Sequence, residues 1–178
     1  LSDDFVDDGE VEFILQFCVP LPMNIIQDRL GFPKKDLSKL KAWSFDTSEG
    51  LSQRLTEDEE IACAERLVKF QHYMNKTFEE KRKNPKEDII SDLVNFKFED
   101  GSQLITEELL SMVSALNIGG NETTTNSIAG GMLILMQQKD KLNDLITGKS
   151  KLKNFVEEII RLETPVQSLF RRVRKDVT

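Results

Sequence analysis

The chain has 178 residues, enough for one sizeable core, and its 39% hydrophobic and 31% charged residues are an ordinary globular balance. A formal net charge of −7 excludes a general nucleic-acid binder, because phosphate affinity needs a basic surface. No apolar run approaches the roughly 18 residues of a membrane-spanning helix, and the start of the chain carries no signal-peptide pattern.

An acidic opening (Asp3, Asp4, Asp7, Asp8) leads into an apolar segment, Val11 to Phe17, whose type the pattern leaves open. Pro20 and Pro22 mark a turn. A helix starts beside Pro22, where a missing donor costs nothing, and runs through Ile25, Ile26 and Leu30. Gly31, as a left-handed cap, and Pro33 stop it. Asp36 to Phe45 predicts a weaker helix with Leu37, Leu40 and Trp43 on one side, and residues 46–50 predict a loop.

Thr56 and Glu59 have the spacing of a capping box, opening a helix that buries Ile61, Ala64, Leu67, Met74 and Phe78. Lys81-Arg82-Lys83 suit the negative end of its dipole and read as a solvated helix end, closed by Asn84-Pro85. A short helix from Asp88 to Phe96 is followed by a tight turn or hairpin at Phe98 to Ser102. Thr106 is expected to cap a long helix reaching about Gln137, with Glu107 and Glu108 in its first turn. Two more helices follow, Asp140 to Leu145 and Leu152 to Glu163, and residues 173–178 look like the start of a strand. No repeat, low-complexity run or Gly/Ser linker divides the chain, so 1–178 reads as a single, mainly α domain.

Cys18 and Cys63 are isolated in apolar helical contexts and read as buried free thiols of a reducing, cytoplasmic compartment. One histidine, His72, and no Cys-x-x-Cys argue against zinc. Asn75-Lys76-Thr77 and Asn121-Glu122-Thr123 match the glycosylation pattern by chance.

The chemistry gathers inside the long helix. Gly119 and Gly120 each cost a helix roughly 1 kcal/mol relative to alanine, and Glu122, Thr123 and Thr124 follow at once. Such a violation of local preference marks a candidate functional site. The glycines would let a flat ligand or a diatomic molecule approach the backbone. Thr123, four residues on, can bond the Gly119 carbonyl, a contact that bends helices, while Glu122 can carry protons. The bland alternative is close helix packing through small residues. Further on, Glu158 and Arg161 share a helix face amid apolar neighbours, which favours a buried ion pair.

Taken together these motifs resemble the cytochrome P-450 haem-thiolate monooxygenases of the bacterial soluble type. Gly119-Gly120-x-Glu122-Thr123-Thr124 resembles that family's distal helix, and Glu158 with Arg161 its Glu-x-x-Arg helix. Pro165-Val166, Arg171 and Asp176-Val177 match the segment that follows; Val19 to Pro22, Leu30 to Pro33 and the Thr56 to Lys83 helix match upstream. The resemblance implies a partial P-450 fold, multi-helical with one long central helix and short β segments. It implies haem b in the parent protein, a small organic substrate with O2, and a ferredoxin-type redox partner. Glu122 and Thr123 would be the catalytic acid–alcohol pair, Gly119 and Gly120 the oxygen groove, and Ala115 and Ile118 would face substrate. Arg171 would hold a haem propionate, and Glu158 and Arg161 would be structural. Residues 34–60 would form a substrate-access lid.

The family's axial cysteine sits in a glycine-rich loop that these residues do not contain, and Cys18 and Cys63 match helices instead. The expectation is therefore a fragment that binds no haem by itself, is inactive alone, and self-associates through uncovered apolar surface. The rival reading is an all-helical interaction or scaffold module without haem.

Overall fold

The computed structural model describes residues 1–52, 54–168 and 173–175, which hold seven α-helices and no strand. These are α1 (Pro20–Leu30), α2 (Leu37–Ser52), α3 (Glu57–Lys83), α4 (Ile89–Asn95), α5 (Thr106–Gln137), α6 (Lys139–Ile146) and α7 (Leu152–Leu162). The mainly α expectation holds. Of the anticipated terminal strand, residues 173–175 show none, and 176–178 lie outside the described residues, as does Arg171.

α5 organises the fold. Its 32 residues span on the order of 48 Å at 1.5 Å per residue, and each of the other six helices touches it. The buried face is a four-residue ladder of Leu109, Val113, Asn117, Asn121 and Thr125, so its middle is polar. Met112, Leu116, Leu133 and Met136, apolar residues that helical spacing marks as core, are instead exposed.

The main core lies where α1, α2, α3 and α4 meet the first half of α5, around Met23, Leu30, Leu40, Phe70, Met74, Phe78, Ile90, Leu109 and Val113. Trp43 packs on Phe70 and Tyr73, ring centroids 5.4 Å apart in both pairs. The Tyr73 hydroxyl donates to Asp36 Oδ2 at 3.0 Å. Burial, then that bond, pushes the phenol well above its ordinary range.

Several boundaries follow the expected chemistry. Gly31 caps α1 at φ +79°, and the carboxylate of Glu59 accepts from the Thr56 N–H at 2.8 Å. Phe98 and Gly101 close a tight turn, with the Gly101 N–H bonded to the Phe98 carbonyl at 2.9 Å. The segment of open type contains a π-helical turn, Ile14–Cys18, with Phe13 stacked on Phe17 at 5.1 Å.

Four expectations are corrected. Residues 46–50 are helix rather than loop, because α3 holds them there. Arg66 Nε donates to both oxygens of the buried Asp46 carboxylate at 2.9 Å, and Cys63 Sγ donates to the Asp46 carbonyl at 3.1 Å. On α3 the inward stripe is Cys63, Phe70, Met74, Phe78 and Lys81, which turns Ile61 and Ala64 outward. Lys81 continues that stripe, so it is buried rather than solvated. Its ammonium pairs with Asp88, which caps α4, and donates to the Gly31 carbonyl at 3.1 Å. Finally, the cap of α5 is Ile105, not Thr106; the Ile105 N–H is satisfied by Glu108 at 2.9 Å.

Candidate active site

The middle of α5 is held at three points by its own polar ladder. Asn117 Nδ2 donates to the Leu40 carbonyl at 3.4 Å, and Asn121 Nδ2 to Ser44 Oγ at 3.4 Å, both on α2. The two contacts advance by one turn on both helices together, so α2 and α5 run in the same sense where they touch. Thr125 Oγ1 donates to the Cys18 carbonyl at 3.1 Å, tying the π-helical turn to the same ladder. With Asn121 buried inside the helix bundle, its glycosylation pattern has no accessible acceptor.

The two glycines meet different surroundings. A Cβ on Gly120 would lie 2.6 Å from Ile26 Cγ1, so this residue lets α1 cross α5 closely. A Cβ on Gly119 would meet nothing within 4 Å. Thr123 Oγ1 donates to the Gly119 carbonyl at 2.9 Å, and Ser127 repeats the contact to the Thr123 carbonyl at 2.9 Å. The helix is nevertheless continuous through this stretch. Because the Thr123 hydroxyl spends its proton on a carbonyl, its lone pairs remain to accept a bond.

Thr123 stands between two hollows. One, about 630 Å³, is lined by Phe45 of α2, by Ile118, Glu122 and Thr123 of α5, and by Pro165 and Val166 after α7. The other, about 580 Å³, lies between α5 and α7, among Ile128, Met132, Leu135, Phe155 and Ile159, with Thr123 and Pro165 again at its edge. Glu122 is half-buried, and its Oε1 accepts from Asn121 Nδ2 at 3.2 Å. Ile118 therefore faces the first hollow, while Ala115 is exposed and lines neither.

The described residues are similar to known proteins over almost their whole length. The polyketide biosynthesis cytochrome P-450 PksS of Bacillus subtilis (strain 168) is 34% identical over 175 residues, covering 97% of this chain and 41% of PksS. Cytochrome P-450 monooxygenase PikC of Streptomyces venezuelae is 33% identical over 161 residues, 90% of this chain and 37% of PikC. The solved structure of PksS overlays with a TM-score of 0.80 at 30% identity, covering 93% of this chain and 42% of that one. No family model matches. The chain belongs to the cytochrome P-450 family. It spans about two fifths of the length of these curated P-450 relatives.

A second solved P-450, P-450BioI in complex with hexadec-9Z-enoic acid ligated acyl carrier protein, overlays with a TM-score of 0.85 at 27% identity, covering 93% of this chain and 42% of that one. Haem monooxygenase is accordingly the family's chemistry, and the helical-module reading gains no support. One site expectation is corrected. Glu158 and Arg161 do form a bidentate pair, at 2.7 and 2.6 Å, but their side chains are 52% and 65% exposed. α7 turns Ile159 toward Gly131 of α5, and the pair lies off that buried line. Hydrogen bonding to Arg161 holds the Glu158 carboxyl below its ordinary value.

The polar ladder Asn117, Asn121, Thr125 and its partner Ser44 were absent from the sequence-based site. A four-residue spacing of small polar residues was the available signal. No group of three or more His, Cys, Asp or Glu side chains that could hold a metal ion occurs among the described residues, and no helix there is long and apolar enough to cross a membrane.

Proposed function

We propose that residues 1–178 form the distal, substrate-side part of a haem-dependent monooxygenase that inserts one oxygen atom of O2 into an apolar organic molecule. The observation that carries this reading is Thr123: it stands at the junction of a substrate-sized cleft and an apolar hollow, between Glu122 and the open face of Gly119. A flat apolar macrocycle suits such surroundings, since nothing lies within 4 Å of a Cβ placed on Gly119 and the hollow one turn on, past Thr123, is walled mainly by aliphatic and aromatic groups.

When bound, haem b supplies the binding and reductive activation of O2. The chain's own residues do the rest. Gly119 leaves room beside the backbone, and Gly120 fixes how closely α1 approaches. Thr123 accepts a hydrogen bond while tethered to Gly119, and Glu122 holds and moves protons from the half-buried wall. Phe45, Ile118 and Val166 wall the substrate side, and Ala115, exposed one turn earlier and outside that wall, would face substrate. Arg171, outside the described residues, would hold a haem propionate, and Glu158 with Arg161 would keep a structural role.

Neither thiol in these residues is placed to bind iron. Cys18 and Cys63 are 0% and 3% exposed and line neither hollow. Burial pushes both thiols up, away from the thiolate form a metal needs. Residues 1–178 alone are therefore inactive and bind no haem through a thiolate. Electrons come from a ferredoxin-type partner, and the two buried free thiols suit a cytoplasmic setting. The names of relatives, among them a vitamin D(3) 25-hydroxylase and a steroid C26-monooxygenase, and the apolar Phe45, Ile118 and Val166 in the cleft wall support a steroid-like or long-chain substrate.

The test uses the full-length protein with a steroid and fatty-acid panel. Thr123→Ala and Glu122→Gln should each lower product formed per electron consumed by about 10-fold or more. Unchanged coupling in both would overturn the assignment. For residues 1–178 alone, added haem, reductant and carbon monoxide should give no thiolate-type red-shifted band.

A further inference from the structure

We propose that Asn121 is a positioning residue that links helix α2 to the carboxylate of Glu122, an inference that rests on the proton-handling role given to Glu122 above. The carboxamide nitrogen of Asn121 carries two hydrogens. One is directed to Ser44 Oγ of α2 at 3.4 Å and the other to Glu122 Oε1 at 3.2 Å. Asn121 is 2% exposed and Ser44 is fully buried, so the bond between them is shielded from water, while the bond to Glu122 reaches the edge of the cleft.

The Ser44 end of this bridge lies behind the cleft wall. Phe45, the next residue of α2, lines the 630 Å³ hollow that Glu122 also lines, and Glu49, Arg54 and Glu163 share that hollow. A molecule that displaces α2 through Phe45 therefore displaces Ser44. The Asn121 amide must then re-aim, and with it the oxygen of Glu122 that it holds. Substrate occupancy and the placement of the proton-carrying group become one adjustment. Simple helix packing predicts no such link, and Asn117 supplies the internal comparison. It grips α2 one turn earlier, through the Leu40 carbonyl, and has no recorded bond to Glu122.

The experiment follows the side-chain carboxylate carbon of Glu122 by NMR in the full-length protein, reduced and carbon monoxide-bound so that it is diamagnetic. The protein carries carboxylate-labelled glutamate, and the Glu122→Gln variant assigns the resonance. Ser44→Ala and Asn121→Ala should both shift that resonance, whereas Asn117→Ala should leave it in place while loosening α2 in hydrogen exchange. A stationary resonance in Ser44→Ala overturns the link. Equal movement in all three variants also overturns it, because general loosening of α2 would then suffice. Ser44→Ala removes a single oxygen and decides alone if Asn121→Ala does not fold. The role of Glu122 itself is judged separately, by the coupling of Glu122→Gln, so either idea can fail without the other.

Discussion

The buried pair of Lys81 and Asp88 gives the sharpest test of how this fold is held. Their side chains are 6% and 4% exposed, and the ammonium also satisfies the carbonyl that ends α1. Asp88 accepts in addition from the Ser91 N–H at 2.8 Å, capping α4. Lys81→Met keeps the aliphatic stem and removes the charge, leaving a buried carboxylate and an unsatisfied carbonyl. Breaking a buried pair from one side costs about 3–5 kcal/mol. With a urea dependence of about 2 kcal/mol/M for a domain of this size, the midpoint should fall by about 2 M. Asparagine caps helices as well as aspartate, so Lys81→Met/Asp88→Asn should recover much of the loss. It should lie only about 1–2 kcal/mol below the parent chain, the cost of an unpartnered buried carbonyl. Burial raises the Asp88 carboxyl, but the bonds from Lys81 and Ser91 outweigh it and hold it below its ordinary value. A carboxyl held low contributes stability above its unfolded pKa of about 3.9, and that contribution disappears as pH falls through the folded value. The gap between parent and Lys81→Met should therefore narrow below about pH 4. A single variant within about 1 kcal/mol of the parent at pH 7, or a double variant no better than the single, would refute the argument.

Other outcomes follow from the same geometry. Cys18 and Cys63, both with thiols raised by burial, should resist alkylation at pH 8 in the native chain and react in urea; mass spectrometry that finds either modified natively counts against their burial. Arg161→Ala should leave the urea midpoint of residues 1–178 unmoved, since the Glu158 pair is open to solvent; a clear fall would show a tertiary role within these residues. Residues 1–178 alone should self-associate through Leu133, Met136, Ile146, Leu152 and Leu162, all more than half exposed, and a monodisperse monomer by light scattering would contradict this. Gly119→Ala should stabilise the chain by up to about 1 kcal/mol. Gly120→Ala should destabilise it by about 1–3 kcal/mol against Ile26, with Ile26→Ala relieving the strain; the same sign at both glycines would refute the split between them.

Helix existence was legible because caps and breakers act locally. Gly31, the Thr56–Glu59 pair and Asn84-Pro85 set their boundaries through groups within a few residues of one another. What failed was wherever a distant partner reversed a local preference. Residues 46–50 look like a turn until Arg66 and Cys63 of α3 grip Asp46. Lys81 looks solvated until Gly31, 50 residues away, and Asp88, seven residues on across the turn into α4, meet its ammonium. Periodicity could have found Lys81, three residues beyond Phe78 on the inward stripe, because burial follows the face before it follows the residue type.

The same logic separates the two halves of the candidate site. Glu122 and Thr123 were legible because they follow two glycines that break helix preference in an apolar setting, and residues that cost stability invite the question of what they do. Asn121 breaks nothing conspicuous. Its meaning depends on Ser44, 77 residues away, and on the happenstance that one amide nitrogen can serve two acceptors. The glycines show the converse. They are identical in sequence terms, yet Ile26 makes Gly120 a packing device and leaves Gly119 facing open space. Sequence pattern therefore locates where this helix departs from ordinary helical chemistry, and tertiary neighbours decide which departures are structural. In α5 that division falls between adjacent residues.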